Sequence, residues 1–455
     1  MESTGIVIVT LVIYQLVLLG VGLWARRRAT TAEGYLIGDR GLGPWVASLS
    51  YAAGSSSAWS ILGVSGIAFS QGLSSVWLIP GTLTGHVIVW FVIAPWLQRE
   101  AHAGRWVTLT DVLTQGLASK TTVWVSRLSA LIILFSFTFY IAAQFQGAAD
   151  LFTSVFNFNF VTALVIGAVV VLLYTFWGGF WAVSLTDALQ AGLMFVTALI
   201  FPAIALYVVM TSPDVGTFSA QHLSLTGAHE GWFLIGMLLG SLSIGFGPLG
   251  QPHLLNRVMA LRSPDALRSA RVVALIWFVV VLGGMYTLGL CGHVLVGAAE
   301  GEQIFFALAD SLLPPVIAGV FLAAVLSAIM STADSQLLVA AGAVSHDLRL
   351  RINTRVATVA VAAAAVALAA FLPESIFSRV LFAWNALGAA FGPAVIARLL
   401  GWRGREWGVP LSMLLGFGLT VLFYSLPNGP GDLWERAVPF LIASVTLYVT
   451  HTSNR

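Results

Sequence analysis

Hydrophobic and polar positions along this chain separate into long apolar runs parted by short polar or Gly/Pro-rich breaks. Cutting at the breaks gives thirteen segments of roughly 17 or more residues, long enough to cross a bilayer as helices. They run 4–25, 43–70, 73–97, 122–152, 159–177, 184–210, 231–253, 270–296, 313–345, 354–372, 376–400, 408–426 and 434–451, numbered here 1 to 13. Segment 1 lacks a basic stretch before its apolar run and a clear small-residue cleavage site, so it reads as a retained span, not a signal peptide. The chain stops a few residues after segment 13, with no appended soluble domain expected.

Two segments depart from a continuous helical pattern. Segment 2 carries Gly54 followed by Ser55, Ser56 and Ser57, poor helix formers whose hydroxyls compete for backbone hydrogen bonds. Segment 7 carries Gly245, Gly247, Pro248, Gly250 and Pro252 within a few residues, enough to unwind a helix at mid-depth. Unwound backbone inside a bilayer is tolerated where it lines a cavity or binds something. A second reading stays open, in which the small residues serve close helix packing. Interrupted helices at matching places in two halves point to an inverted-repeat transporter with its site at the midplane. The predicted organisation is an extra span in 1–30, repeats in 43–210 and 231–400, and two extra spans in 408–455.

Segment 9 places a carboxylate and several hydroxyls in an otherwise apolar run, Ala328-Ile329-Met330-Ser331-Thr332-Ala333-Asp334-Ser335. At 100° per residue, Ala328, Ser331, Thr332 and Ser335 share one narrow face, with Asp334 on its flank. An ionisable group at that depth is costly unless it meets a cation, a partner or water. Hard oxygens gathered on one buried face suit a small hard cation better than a transition metal. The face therefore reads as half of a sodium site. Two alternatives remain: Ser331 and Thr332 bonding to carbonyls of their own helix, and Asp334 pairing with a neighbouring polar side chain.

Composition narrows the class. The chain is 58% hydrophobic and 9% charged, which fits an all-α polytopic membrane protein. One cysteine, Cys291, precludes an internal disulfide, and no paired Cys/His metal ligands occur. The net charge of +2 conceals an asymmetry. Placing Arg26, Arg27 and Arg28 in the cytoplasm, with the N-terminus outside, puts every Lys and Arg except Arg379 and Arg436 on the inner side. The groups Arg257/Arg262/Arg268/Arg271, Arg349/Arg351/Arg355 and Arg398/Arg403/Arg405 follow that rule, which predicts a cytoplasmic C-terminus in a cell membrane. No nucleophile–base constellation stands out, so neither an enzyme nor a nucleic-acid binder is expected.

Six motifs in order carry a family resemblance: Gly38-Asp39-Arg40-Gly41-Leu42-Gly43; the serine-rich break through Trp59; Gly178-Gly179 with Ser184-Leu185-Thr186-Asp187-Ala188-Leu189-Gln190; Gly250-Gln251-Pro252-His253; Met330 to Leu338; and Trp384-Asn385-Ala386-Leu387-Gly388 through Pro393. Over nearly its whole length the chain resembles the sodium:solute symporters, most closely their proline/pantothenate branch. The resemblance implies a leucine-transporter-like 5+5 inverted repeat of about 13 transmembrane helices. It also implies a sodium site formed by carbonyls of Ala53, Ser56 and Ala328 with the hydroxyls of Ser331 and Thr332. Some members hold a second cation, matched here by Asp187, Ser331, Asp334 and Ser335. Ser184 to Asp187 also reads as a helix start, where Asp187 would complement the dipole.

The implied activity is sodium-coupled import of a small organic solute by alternating access, with sodium as the coupling ion and no other cofactor. In this fold the pocket would draw on Ser55, Ser57, Trp59, Tyr140, Gln144, Phe246, Gln251 and Trp384. Tyr140 and Gln144 also read as satisfied packing residues. With no fixed cation expected there, the residues favour a zwitterion such as proline, a monocarboxylate or pantothenate-like solute, or a neutral molecule. Two departures stand out: Ser55 occupies a position where many relatives carry aspartate, and Ile244 and Pro248 replace aromatic residues of the proline carriers. His86, intramembrane in segment 3, reads either as a bond to a neighbouring helix or as a substrate or proton group. The alternative function is a solute sensor working with a partner signalling protein.

Overall fold

The computed structural model describes residues 2–25, 32–175, 179–213, 215–297, 301–348, 350, 352–372, 375–402, 405–427, 429 and 432–451. Arg26, Arg27, Arg28, Gly178, Arg349, Arg351 and Arg403 lie outside the described residues. Each of the thirteen expected segments contains helix. Among the described residues, nine helices are long and apolar enough to cross a membrane, and those of segments 5 and 12 are shorter apolar helices.

Burial sorts the helices by role. The apolar window of segment 1 is 17% buried, whereas those of segments 9 and 11 are 83% and 94% buried. Polar side chains are affordable in a bilayer only at such central positions. Segment 1 (Glu2–Ala25) lies outside segment 9, and Tyr14 Oη bonds Ser327 Oγ at 2.7 Å across that contact. Segments 12 and 13 pack together outside segment 11, where Ser412 Oγ donates to Ala443 O at 2.9 Å. Large apolar side chains such as Val9, Leu16, Leu199 and Val279 remain exposed on outward faces, as a lipid-facing surface requires.

The break in segment 2 falls at Ser56–Ser57. A helix runs Pro44–Ser55, Ser56 leaves helical geometry (φ −99, ψ 67), and winding resumes with a π-turn over Trp59–Gly63. The restarted helix exposes free amides. Gln144 Oε1 from segment 4 takes Ala58 N at 2.9 Å, and Ser57 Oγ takes Trp59 N at 3.2 Å. The interruption is thereby capped by side chains.

Segment 7 is tightened before it is cut. After Gly231–Ser243 the chain turns 3-10 over Ile244–Gly250, becomes extended at Gln251, and restarts as Pro252–Met259 with proline at its first position. Glycine is demanded there by contact with segment 11. A Cβ on Gly247 would lie 1.8 Å from Trp384 Nε1. Segment 11 recaptures the freed groups: Trp384 Nε1 donates to Ile244 O at 3.1 Å, and Gln251 Nε2 donates to Trp384 O at 3.1 Å.

Candidate functional site

The segment 2 break lies against the hydroxyl face of segment 9. Ser331 Oγ donates to Ala53 O at 3.2 Å and to Ala328 O at 3.3 Å. Thr332 Oγ1 lies 3.1 Å from Gly54 O and 3.4 Å from Ala53 O. All of these residues, with Ser56, are fully buried or nearly so. Ser331 thus bonds a carbonyl of its own helix, as the alternative reading expected, and also one of the interrupted helix. Gly54, absent from the expected ligand set, supplies a carbonyl that also accepts from His253 Nε2 at 3.2 Å. Hydroxyl hydrogens rotate freely, so Ser331 and Thr332 can turn lone pairs toward a cation instead of donating to the carbonyls.

One turn further along segment 9 the chemistry changes. Ser335 Oγ faces Asp187 Oδ2 at 3.4 Å, and Ser50 Oγ donates to the same oxygen at 2.7 Å. Between them sits the Arg257 guanidinium. Its Nη2 is 3.1 Å from Asp187 Oδ2 and also bonds Ser335 Oγ, its Nε donates to Ser50 Oγ at 3.0 Å, and its Nη1 donates to His253 O at 2.7 Å. Asp187, Ser335 and Arg257 are all 0% exposed. Two of the four residues matched to a second cation, Asp187 and Ser335, thus already contact a positive charge, whereas Ser331 bonds Ala53 O and Ala328 O instead. Asp334 is equally buried and is engaged in an interaction of its own.

This geometry corrects two expectations. Arg257, counted above with the cytoplasmic loop charges, is an interior residue because the Pro252–Met259 helix carries it inward, one turn beyond His253. Asp187 does not begin a helix. Its helix starts at Phe180, with Gly179 as cap, so Asp187 lies two turns inside.

Beside the two breaks is a cavity of about 20 Å³ lined by Ser55, Trp59, Tyr140 and Trp384 from the expected pocket. Thr82, His86, Ile244 and Phe278 join them. The other four expected residues do not line it. Ser57 and Gln144 cap the restarted helix, Gln251 is bonded to Trp384 O, and Phe246 stacks on Phe440 with ring centroids 4.3 Å apart. His86 touches the cavity and also a neighbouring helix, with Nδ1 3.0 Å from Tyr51 Oη and Nε2 3.4 Å from Ser55 Oγ. Thr82 was not singled out from the sequence. Its signal was its i, i+4 relation to His86 on one face of segment 3. No charged residue lines this cavity among the described residues. At its present volume it admits roughly one water.

Comparison with known structures gives the fold first. The fold matches a Na+-coupled sialic acid symporter in a substrate-bound outward-open state, with TM-score 0.75 over 98% of both chains at 15% identity. It also matches a nucleobase-cation-symport-1 family transporter in a closed conformation, with TM-score 0.60 over 91% of this chain and 93% of the other at 14% identity. These neighbours give the chain an all-helical, leucine-transporter-like fold.

Sequence comparison then supplies the family. The model of the sodium:solute symporter family matches residues 35–416. The osmoregulated proline transporter OpuE of Bacillus subtilis is 33% identical over 92% of this chain and 88% of its own length. The sodium/proline symporter of Escherichia coli is 33% identical over 97% of this chain and 92% of its own. This chain belongs to the sodium:solute symporter family, and is a multi-pass membrane transporter rather than an enzyme.

Proposed function

We propose that one sodium ion binds between the segment 2 break and segment 9, at the carbonyls of Ala53, Ser56 and Ala328 and the hydroxyls of Ser331 and Thr332. Its gradient drives import of a small solute held in the cavity beside it. The observation that carries this reading is the packing of Ser331 and Thr332 against the carbonyls of an interrupted helix, within 3.4 Å and shielded from solvent. The relatives named as proline transporters make L-proline the first solute to test. Ser55, Trp59, Tyr140 and Trp384, joined by Thr82 and His86, form its pocket. Ser57, Gln144, Phe246 and Gln251 support the pocket from behind. The repeats span 43–210 and 231–400, the N-terminus lies outside and the C-terminus in the cytoplasm.

The energetics suffice for concentration of solute. One charge moving through 100 mV releases about 2.3 kcal/mol, and a tenfold sodium gradient adds about 1.4 kcal/mol, enough for roughly 500-fold accumulation of a neutral solute. The test is uptake of radiolabelled L-proline into proteoliposomes under an inward sodium gradient. Accumulation that collapses when sodium is replaced by potassium supports symport of proline. Sodium-dependent accumulation of a small monocarboxylate, with none of proline, would move the substrate assignment. Absence of sodium-driven flux for either would remove both substrate assignments and turn the search to neutral or pantothenate-like solutes.

A further inference from the structure

Four segments converge on Asp187, and what they surround is a side chain. Asp187 comes from segment 6, Ser50 from segment 2, Ser335 from segment 9 and Arg257 from segment 7. Every one is completely buried. An arginine side chain is a fixed cation that presents a planar fork of donors. Here that fork is spent on Ser50 Oγ, His253 O, Asp187 Oδ2 and Ser335 Oγ, and its carbon stands 5.1 Å from the Phe180 ring centroid. A buried carboxylate with two hydroxyls is a fitting cage for a small cation, and the cage is filled by a cation that cannot leave.

We propose that Arg257 is the built-in occupant of the second cation position, so that the transporter binds a single exchangeable sodium, at Ser331 and Thr332. The proposal rests on the symporter reading for that one ion. A second sodium at Asp187 would share its carboxylate with a guanidinium a few ångströms away, in a medium that screens little, and the repulsion excludes it. Asp187 Oδ1 takes no hydrogen bond among the described residues, but an ion there would still face Arg257 across the same carboxyl group.

The tethered charge is also wired to the sodium site. Arg257 Nη1 fixes the carbonyl of His253, and His253 Nε2 lies 3.2 Å from Gly54 O, the carbonyl that Thr332 also approaches. Arg257 therefore acts as a positioning residue for the diffusible ion. Segment 7 is held against segments 2, 6 and 9 by a permanent charge, while one turn away the ion comes and goes.

The experiment counts radiolabelled sodium bound at saturation to the purified full-length protein, by scintillation proximity, with folding checked by monodispersity. The wild type is expected to bind one sodium. Binding of two would overturn the proposal while leaving sodium symport intact; binding of none would remove the sodium site itself and the proposal with it. Arg257→Met exposes the caged carboxylate and is expected to raise the count to two. A folded Arg257→Met protein that still binds one would reduce the guanidinium to a structural part and overturn the proposal. Should that variant fail to fold, the double variant Arg257→Met/Asp187→Asn, which leaves no uncompensated charge, keeps the question open to decision. Its count should stay at one, and a fall to zero would place the exchangeable ion at Asp187.

Discussion

Segment 9 carries two polar clusters a single turn apart, and they solve the same problem in opposite ways. At Ser331 and Thr332 the contacts seen among the described residues are to backbone carbonyls, so a cation bound there as proposed meets ligands with no net charge. At Ser335 the neighbour is Asp187, whose charge is already answered by Arg257. A site without fixed charge can be empty or full at modest cost, which suits an ion that must be released each cycle. A buried carboxylate cannot be left bare, and a buried pair loses several kcal/mol when one partner is removed. The difference teaches that depth alone does not define an ion site; what matters is whether the cage is complete without the ion.

The largest effect expected from breaking this contrast is at the ionic cluster. Arg257→Ala or Asp187→Ala alone should lower stability by about 3–5 kcal/mol, whereas Arg257→Met/Asp187→Asn recovers most of the loss. Thermal unfolding in detergent, without sodium, checks both. A double variant as unstable as the singles would refute the pairing argument.

At the neutral cluster the order reverses, with little change in stability and a large change in ion affinity. Ser331→Ala and Thr332→Val each remove a neutral oxygen from the proposed ligand set of a charged ion, worth about 1.5–3 kcal/mol, so half-saturating sodium should rise tenfold or more. Thr332→Ser keeps the hydroxyl and should keep the affinity. Unchanged sodium dependence in both deletions would dissociate these residues from the ion.

His253 joins the clusters, and His253→Phe should cut the link at about 1 kcal/mol, seen as a roughly fivefold shift in half-saturating sodium. The smallest effect is expected far from both, at Glu302. Its carboxylate accepts from Ile376 N at 3.2 Å and Phe377 N at 2.8 Å, capping the segment 11 helix. Burial pushes its carboxyl above the ordinary glutamate range, and the two amide bonds only partly oppose that. A raised pKa in the folded state means the native protein holds this proton more tightly. Its share of stability is full below the ordinary glutamate pKa and is lost as pH climbs through the folded value. Glu302→Gln should flatten that slope and change stability by about 1 kcal/mol or less. An unchanged slope would show that Glu302 is not its source.

Much of the fold was legible because a bilayer imposes a coarse rule, a long apolar run for each helix. Both interruptions were readable from local chemistry, since Gly54 with three serines, and three glycines with two prolines, sustain an α-helix poorly, although the actual breaks fall at Ser56–Ser57 and at Gln251. What caps them was not. Gln144 reaches Ala58 from 86 residues away, and nothing local to either position signals that contact. Arg257 was misplaced for a related reason. A charge near the end of an apolar run looks like a loop charge when hydropathy is scanned, and only the restart at Pro252 shows that the chain is still crossing the interior. Ser331 and Thr332 were legible because helical phase puts them on one face whatever they meet.

The cramped space between Ser55, His86, Tyr140 and Trp384 has a pharmacological consequence. If this is the solute pocket, as proposed, its walls must part before any guest larger than a water is lodged, and the work of parting them is subtracted from whatever the contacts return. Ligands will register as weaker than their fit implies, by the fraction of molecules already ajar. An inhibitor that wedges the walls open could outcompete a better-shaped mimic of the cargo.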